Sequence, residues 1–469
     1  MSDTLLKLYH YLPPAARSVA ASLRGLYLRS WRYGPETERL MEEAQEREKW
    51  SAETWRQWRD ARVAYVLERA ATRVPYYRDQ WCARRRNGDR ASWDLLENWP
   101  ILEKESLRRN PHAFVADDCD VRKLFRDLTS GTTGTPLAVW LSRATVRAWY
   151  ALAEARIRGW HGVSRFKRWA MLGGQLVAPV ARQRAPFWVW NAPQNQLYVS
   201  SYHLAPALIP ACLAALRRYR VTYLMGYSSS LDAVARELIA LGEEVPLKVA
   251  ITNAEPLLEH QRDAITRAFR CPARETYGMA EGVAAASECE AGHLHLFPEM
   301  GSVEVRDENG PVLRGQPGEI VGTGIFNVDM PLIRYRVGDR AAETADDRPC
   351  PCGRTLPRLA YVEGRSDDVL YTRDGRRVGR LDPVFKGGLP VREAQIVQES
   401  FETVRVRYVP GPGFTRHHAR SLVMRLRDRM GPVEVTLEAL DTIPRTQNGK
   451  FRAVVCNIPS RRRAIPDGV

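Results

Sequence analysis

Leu128-Thr129-Ser130-Gly131-Thr132-Thr133-Gly134-Thr135-Pro136 frames two adjacent threonines with two glycines, with Ser130 just before the first glycine. Glycine lets a turn expose its amide N–H groups, and the hydroxyls of Ser130, Thr132 and Thr133 add donors aimed at the same place. A loop of this kind can wrap a polyphosphate. It is not the Walker-type loop, which needs Gly-x-x-x-x-Gly-Lys-Ser/Thr. The same residue types also build ordinary surface turns, so the choice rests on the residues farther along the chain.

Downstream of this loop, charged and glycine-containing strings come in a fixed order. They are Asn253-Ala254-Glu255-Pro256, Tyr277-Gly278-Met279-Ala280-Glu281, Arg334-Tyr335-Arg336-Val337-Gly338-Asp339, Gly364-Arg365-Ser366-Asp367-Asp368 and Ile443-Pro444-Arg445-Thr446-Gln447-Asn448-Gly449-Lys450-Phe451-Arg452. Singly, Glu281 and Asp339 read equally well as helix caps or surface charges, and Lys450 as a turn lysine. With the Thr/Gly loop they make six motifs in one order over more than 300 residues, which chance explains poorly.

The elements that must position these residues change character along the chain. Residues 1–85 read as helical and basic, with Val19, Leu23, Tyr27 and Trp31 at helical spacing. That stretch packs on its own domain or touches a membrane surface, since it mixes Arg with Leu, Tyr and Trp. From about residue 125 to 340, apolar runs such as Trp169-Ala170-Met171-Leu172, Val221-Thr222-Tyr223-Leu224-Met225 and Val249-Ala250-Ile251-Thr252 alternate with helical stretches over Ser142–Gly159, Pro206–Tyr219 and Ser229–Leu241. This order predicts an α/β fold with mostly parallel sheets and sites at the strand ends. Residues 300–340 read as a β subdomain. Strands near 369–371, 395–397, 404–409 and 433–437, with a helix over 419–430, predict a small α+β unit at the C-terminus. The expected division is an N-terminal domain over 1–366 and a C-terminal domain over 367–469.

Composition bounds the possibilities. The chain has 469 residues, 44% of them hydrophobic, with thirteen Trp, which excludes a disordered chain. No apolar run reaches the roughly 18–20 residues of a membrane span, and Met1–Lys7 has no secretory pattern, so a cytoplasmic protein is expected. The net charge is +15, carried by eight Lys and sixty-two Arg. A spread of solvated charges accounts for it, as does an anionic partner such as a nucleotide or a membrane. No nucleic-acid-binding motif is present.

In these strings the chain resembles the acyl-adenylate-forming superfamily, and within it the phenylacetate–CoA ligase family with its capsule-biosynthesis branch. The local spellings Val74-Pro75-Tyr76-Tyr77-Arg78, Trp99-Pro100-Ile101-Leu102-Glu103-Lys104 and Cys350-Pro351-Cys352-Gly353-Arg354 carry that branch. The resemblance implies a carboxylic acid reacting with ATP to give acyl-AMP and pyrophosphate, then acyl transfer to coenzyme A. Transfer to an amine, a hydroxyl or a carrier protein is the alternative, and a degenerate nucleotide-binding scaffold with a basic surface is a reading of another class. It further implies that Ser130, Gly131, Thr132, Thr133 and Gly134 cradle the β- and γ-phosphates and that Glu281 holds Mg²⁺. Tyr277, followed by Gly278, Met279 and Ala280, lies beside the adenine, with Ala254, Glu255 and Pro256 as another wall. Asp339 accepts from the ribose hydroxyls, Arg365 reaches the ribose or phosphate, Lys450 contacts the attacking carboxylate and α-phosphate, and Asp367 is the hinge of a mobile C-terminal domain. Thr135 stands where many members carry lysine; Arg143 is a nearby cation. Gly173–Leu176, Gly226-Tyr227-Ser228 and the Tyr277 region are the expected acid pocket.

Cys289, His295, Cys350 and Cys352 form a zinc-type donor set of three thiolates and one imidazole. His293 is the alternative fourth ligand, and a set of reduced buried cysteines is the alternative to a metal. The resemblance favours a structural zinc.

Overall fold

The computed structural model describes residues 8–128, 137–179, 182, 184–365, 370–372, 377–378, 384, 389–446 and 451–459. The N-terminal third is helical: α1 (Pro14–Arg32), α2 (Thr37–Arg47), α3 (Ala52–Arg73), α4 (Pro75–Arg86) and α5 (Lys104–Arg109). Ser51 caps α3 by accepting from the Thr54 amide, and Pro75 starts α4 where its missing N–H costs nothing. Among the described residues no helix is long and apolar enough to cross a membrane.

A short hairpin of β1 (Phe125–Leu128) and β2 (Ala138–Leu141) comes next, with Leu128 paired to Ala138. The chain then builds β3 (Trp169–Gly173), β4 (Trp188–Asn191), β5 (Gln196–Ser200), β6 (Tyr223–Tyr227), β7 (Ala250–Asn253) and β8 (Ala273–Gly278). α6 (Arg143–Leu152) precedes β3, and α7 (Ile209–Arg218), α8 (Ser228–Ala240) and α9 (Glu259–Phe269) lie between β5 and β8. Six antiparallel strands come after β8: β9 (Ala285–Glu288), β10 (Leu294–Leu296), β11 (Gly301–Arg306), β12 (Pro317–Gly324), β13 (Tyr335–Glu343) and β14 (Arg358–Arg365).

These strands form one twelve-stranded sheet in the order β11-β12-β13-β14-β10-β9-β8-β7-β6-β3-β5-β4. Parallel pairing is confined to β5, β3, β6, β7 and β8, where helices carry the chain back over the sheet. The sheet as a whole is therefore mixed rather than mostly parallel. Short links after β8 reverse the chain without a crossover, and such links make antiparallel neighbours. β8 is the seam: it pairs parallel to β7 over Ala273–Glu275 and antiparallel to β9 over Thr276–Gly278. Gly226 at the end of β6 is required by close packing, because a Cβ there would lie 2.4 Å from the Leu172 carbonyl oxygen.

The C-terminal unit holds a two-stranded pair, β15 (Leu370–Tyr371) with β16 (Arg377–Val378), and a four-stranded sheet. The latter runs β19 (Glu434–Ala439), β18 (Thr403–Pro410), β17 (Val391–Gln398), β20 (Val454–Cys456). The helix α10 (Arg416–Met430) supplies Leu422, Leu426 and Met430 to a core shared with Ile396, Val404 and Val406.

Candidate active site

Glu255 and Glu281 follow the carboxyl ends of β7 and β8, the usual place for a site in an open α/β sheet, and Asp339 on β13 meets β8 through Tyr277. Ala254, the residue after β7, holds φ at +61°, a left-handed turn unusual for a residue with a Cβ. The turn aims Glu255 across the strand ends: its Oε2 accepts from the Ser229 amide at 3.0 Å and from the Ser228 hydroxyl at 3.3 Å, at the start of α8. The Pro256 carbonyl accepts from the same Ser228 hydroxyl at 2.8 Å. Glu255 Oε1 accepts from the Phe451 amide at 2.6 Å. The C-terminal unit thus reaches the site through the residue next to Lys450.

Behind this turn, Glu275 on β8 accepts from the Leu257 amide at 3.2 Å. Its own amide donates to Glu288 at 2.7 Å, and Arg262 grips Glu288 through two bonds of 2.8 and 2.9 Å. Burial, and then the Glu288 charge, push the Glu275 carboxyl up to about 7.

Tyr277 and Asp339 are joined: the phenol donates to Asp339 Oδ2 at 2.9 Å. Asp339 and Arg365 are cross-strand partners on β13 and β14. Gly278 ends β8, and Met279 and Ala280 form the turn into Glu281, closed by the Gly282 amide on the Met279 carbonyl at 3.1 Å.

Glu281 is buried, with Tyr335 donating to its Oε1 at 3.0 Å and the Lys104 ammonium 3.2 Å from the same oxygen. Burial, together with the Glu281 carboxylate, raises the pKa of Tyr335 and keeps it a donor. Lys104 arrives because Leu102 lies beside β13, its amide bonded to the Arg334 carbonyl at 2.9 Å and its carbonyl to the Arg336 amide at 3.0 Å. Asp127, on β1 at the start of the Thr/Gly loop, lies close enough for the Glu281 charge to add to the burial that raises its pKa. The sequence alone gives no role to Lys104 or Tyr335, although both stand inside the motif strings. Arg334 turns away from the site and pairs Glu304 on β11 through bonds of 3.0 and 2.9 Å.

Beside these groups Tyr198, Tyr202 and Tyr227 cluster at the Gly173-Gly174 turn. The Tyr198 hydroxyl accepts from the Gln175 amide at 3.1 Å, and the Tyr227 hydroxyl meets the Gly174 backbone. Burial raises all three phenols and keeps them protonated. Arg143 stacks on Trp31, 4.7 Å from the ring centre. Thr129–Pro136, with Ser130, Gly131, Thr132, Thr133, Gly134 and Thr135, falls outside the described residues, as do Ser366, Asp367 and Lys450; of Arg365 only the backbone is described.

The second cluster joins the two halves of the antiparallel sheet. The donor atoms of Cys289, His295, Cys350 and Cys352 all lie within 4.8 Å of one another. Cys289 and Cys350 sulfurs are 3.8 Å apart, and Cys352 Sγ is 3.4 Å from His295 Nε2. A tetrahedral zinc with ordinary bond lengths sets such donors roughly 3.5–3.8 Å apart. His295 Nδ1 bonds the Leu356 carbonyl at 3.1 Å, which leaves Nε2 for a ligand. Burial keeps the ring neutral, its pKa down at about 4. His293 stays outside the group and gives only its carbonyl, to the Cys289 amide at 2.9 Å. Arg354 stands against the cluster over Trp160, bonded to Glu48 at 2.9 Å and Glu290 at 2.7 Å.

This fold agrees with the comparisons with known proteins. The AMP-binding enzyme model matches residues 57–328, more than half of the chain, and the chain belongs to that family of AMP-forming ligases. A second model, the CapK C-terminal domain, matches residues 370–457 and sets the chain on the CapK and phenylacetate–CoA ligase branch. Protein CapK of Staphylococcus aureus is 25% identical over 370 residues, spanning 77% of this chain and 80% of the relative. Phenylacetate-coenzyme A ligase of Thermus thermophilus is 27% identical over 266 residues, 49% of this chain and 58% of the relative. Among solved structures, 2-hydroxyisobutyryl-CoA ligase with a bound acyl-AMP superposes with a TM-score of 0.67 at 22% identity, covering 96% of this chain and 94% of that one.

Proposed function

We propose that the protein activates a small carboxylic acid with ATP, forming acyl-AMP and pyrophosphate, and then passes the acyl group to coenzyme A. The observation that supports this reading is the set of Glu255 and Glu281 just past the ends of the neighbouring strands β7 and β8, with Asp339 bonded to Tyr277 on β8. The attack joins a carboxylate to an anionic α-phosphate, so it needs charge neutralisation and alignment. Glu281 is the carboxylate for Mg²⁺, which supplies that neutralisation when bound. Asp339 accepts from the ribose hydroxyls, Tyr277 and the turn of Ala254, Glu255 and Pro256 flank the adenine, and the Thr/Gly loop with Ser130–Gly134 takes the phosphates. The acid sits among Tyr198, Tyr202 and Tyr227.

Residues 367–469 act as a lid in this reading, hinged at Asp367. The bond from the Phe451 amide to Glu255 belongs to a closed arrangement with Lys450 serving the first step. Cys289, His295, Cys350 and Cys352 hold a structural zinc.

The test separates the half-reactions. Lys450→Ala is expected to abolish acyl-AMP formation while sparing thioester formation from preformed acyl-AMP. Equal loss of both steps contradicts the role of Lys450. Product analysis with coenzyme A, then with amines, decides the acceptor; an amide in place of a thioester overturns coenzyme A.

A further inference from the structure

Helix α1 turns its polar face toward the protein. β4 is the last strand in the sheet order, and serines of α1 stand where the next strand would pair. The Trp190 amide donates to Ser18 Oγ at 3.2 Å, the Ser22 hydroxyl donates to the Trp190 carbonyl at 3.3 Å, and the Ala192 amide donates to Ser22 Oγ at 3.2 Å. Arg17 is buried against the Val177 carbonyl at 3.0 Å. Gly25 permits the close approach, since a Cβ there would come within 1.9 Å of Asn191 Oδ1. Sheet edges are commonly covered in some such way. Here the cover uses Arg17, Ser18 and Ser22 of the helix.

The apolar side consequently faces solvent. Val19 is 59% exposed, Leu23 65%, Leu26 58% and Tyr27 51%, and the preceding turn adds Leu8 at 63% and Tyr11 at 88%. Val19, Leu23 and Leu26 also line an open apolar cavity of ≈ 340 Å³ with Trp190 and Pro193. Contiguous apolar surface of this kind marks a docking site.

Charge identifies the partner. From Thr4 to Pro35 the sequence carries five Lys or Arg and no Asp or Glu. Of the arginines on α1, Arg24 and Arg29 are exposed, while Arg17 is buried and Arg32 bonds Gln194. An anionic bilayer matches each part of this face: hydrocarbon for the leucines, the headgroup layer for the tyrosines, and lipid phosphates for the arginines. We propose that α1 is a peripheral docking face that seats the protein on an anionic membrane surface, lying flat with Leu23 and Leu26 inserted.

Vesicle co-sedimentation of the full chain tests this. The protein is expected to pellet with phosphatidylcholine–phosphatidylglycerol vesicles, weakly with phosphatidylcholine alone, and less as salt is raised. Leu23→Glu with Leu26→Glu should lower vesicle affinity by about tenfold or more with the circular dichroism spectrum unchanged. Arg24→Glu should weaken binding to the anionic vesicles selectively. Failure to pellet with anionic vesicles overturns the proposal, as does binding that the leucine pair leaves undiminished. A concentration-dependent dimer that the leucine pair dissolves, without vesicle binding, would assign the face to a second copy instead.

Discussion

Tyr335 donates its hydroxyl to Glu281 across 54 residues of sequence, at 3.0 Å, and both side chains are buried. Together with Lys104 it fixes one oxygen of the carboxylate proposed to hold Mg²⁺. Removing one partner of a buried charged group costs about 1–3 kcal/mol. Tyr335→Phe should therefore lower kcat/KM for ATP by about tenfold, and Glu281→Gln by about a hundredfold or more. Steady-state kinetics over a range of Mg²⁺ concentrations checks this. A Tyr335→Phe enzyme with unaltered Mg²⁺ dependence would remove Tyr335 as a positioning residue.

The left-handed turn at Ala254 makes a second prediction. Holding a residue with a Cβ there costs on the order of 1 kcal/mol. Ala254→Gly should leave stability level or raise it by up to about 1 kcal/mol, offset in part by glycine's freedom in the unfolded chain. Ala254→Val should lower it by about 1 kcal/mol or more, because branching at Cβ makes the left-handed region worse. Denaturant unfolding of the three proteins gives the order Gly, Ala, Val if the turn is as described.

Glu275 makes one contribution to the pH dependence of stability. Its carboxyl rises from 4.5 to about 7 on folding, through burial first and the Glu288 charge second. A raised acid contributes stability that is fully present below pH 4.5 and lost as pH climbs through 7, on the order of 3 kcal/mol at most. Asp232, pushed up to about 6 by burial, adds a loss of the same sign. Glu275→Gln should remove this contribution, so that the melting temperature of the variant gains on that of the parent as pH rises from 5 to 8. A slope identical to that of the parent protein contradicts the assignment.

The cysteine cluster predicts a metal. Purified protein should carry zinc near one equivalent, and Cys350→Ser should release it and lower the melting temperature. Near-absence of zinc in elemental analysis would leave the four residues as a reduced buried cluster.

Part of the candidate site is legible in the chain because its residues sit in short local strings, Glu255 and Glu281 just past strand ends. Glu255, Tyr277, Glu281 and Asp339 can be picked out before any contact is known. Lys104 and Tyr335 cannot, because what makes them site residues is Glu281, a partner 177 and 54 positions away. The helical spacing of Val19, Leu23 and Tyr27 reads as a face packed on its own domain or on a membrane. The helix does pack on the sheet, but through Ser18, Ser22 and Gly25, and periodicity alone cannot tell which face the edge strand β4 will take. The mixed sheet is also hidden, since the parallel-to-antiparallel switch occurs inside β8 and leaves no mark on its alternation.

These carboxylates are proposed to serve acid-dependent adenylation. ATP–pyrophosphate exchange across a panel of aryl, acyl and amino acids measures that step alone. The account predicts exchange that depends on one class of acid and is lost in Glu281→Gln. Silence across the whole panel, with the protein folded and Mg²⁺ present, would contradict it.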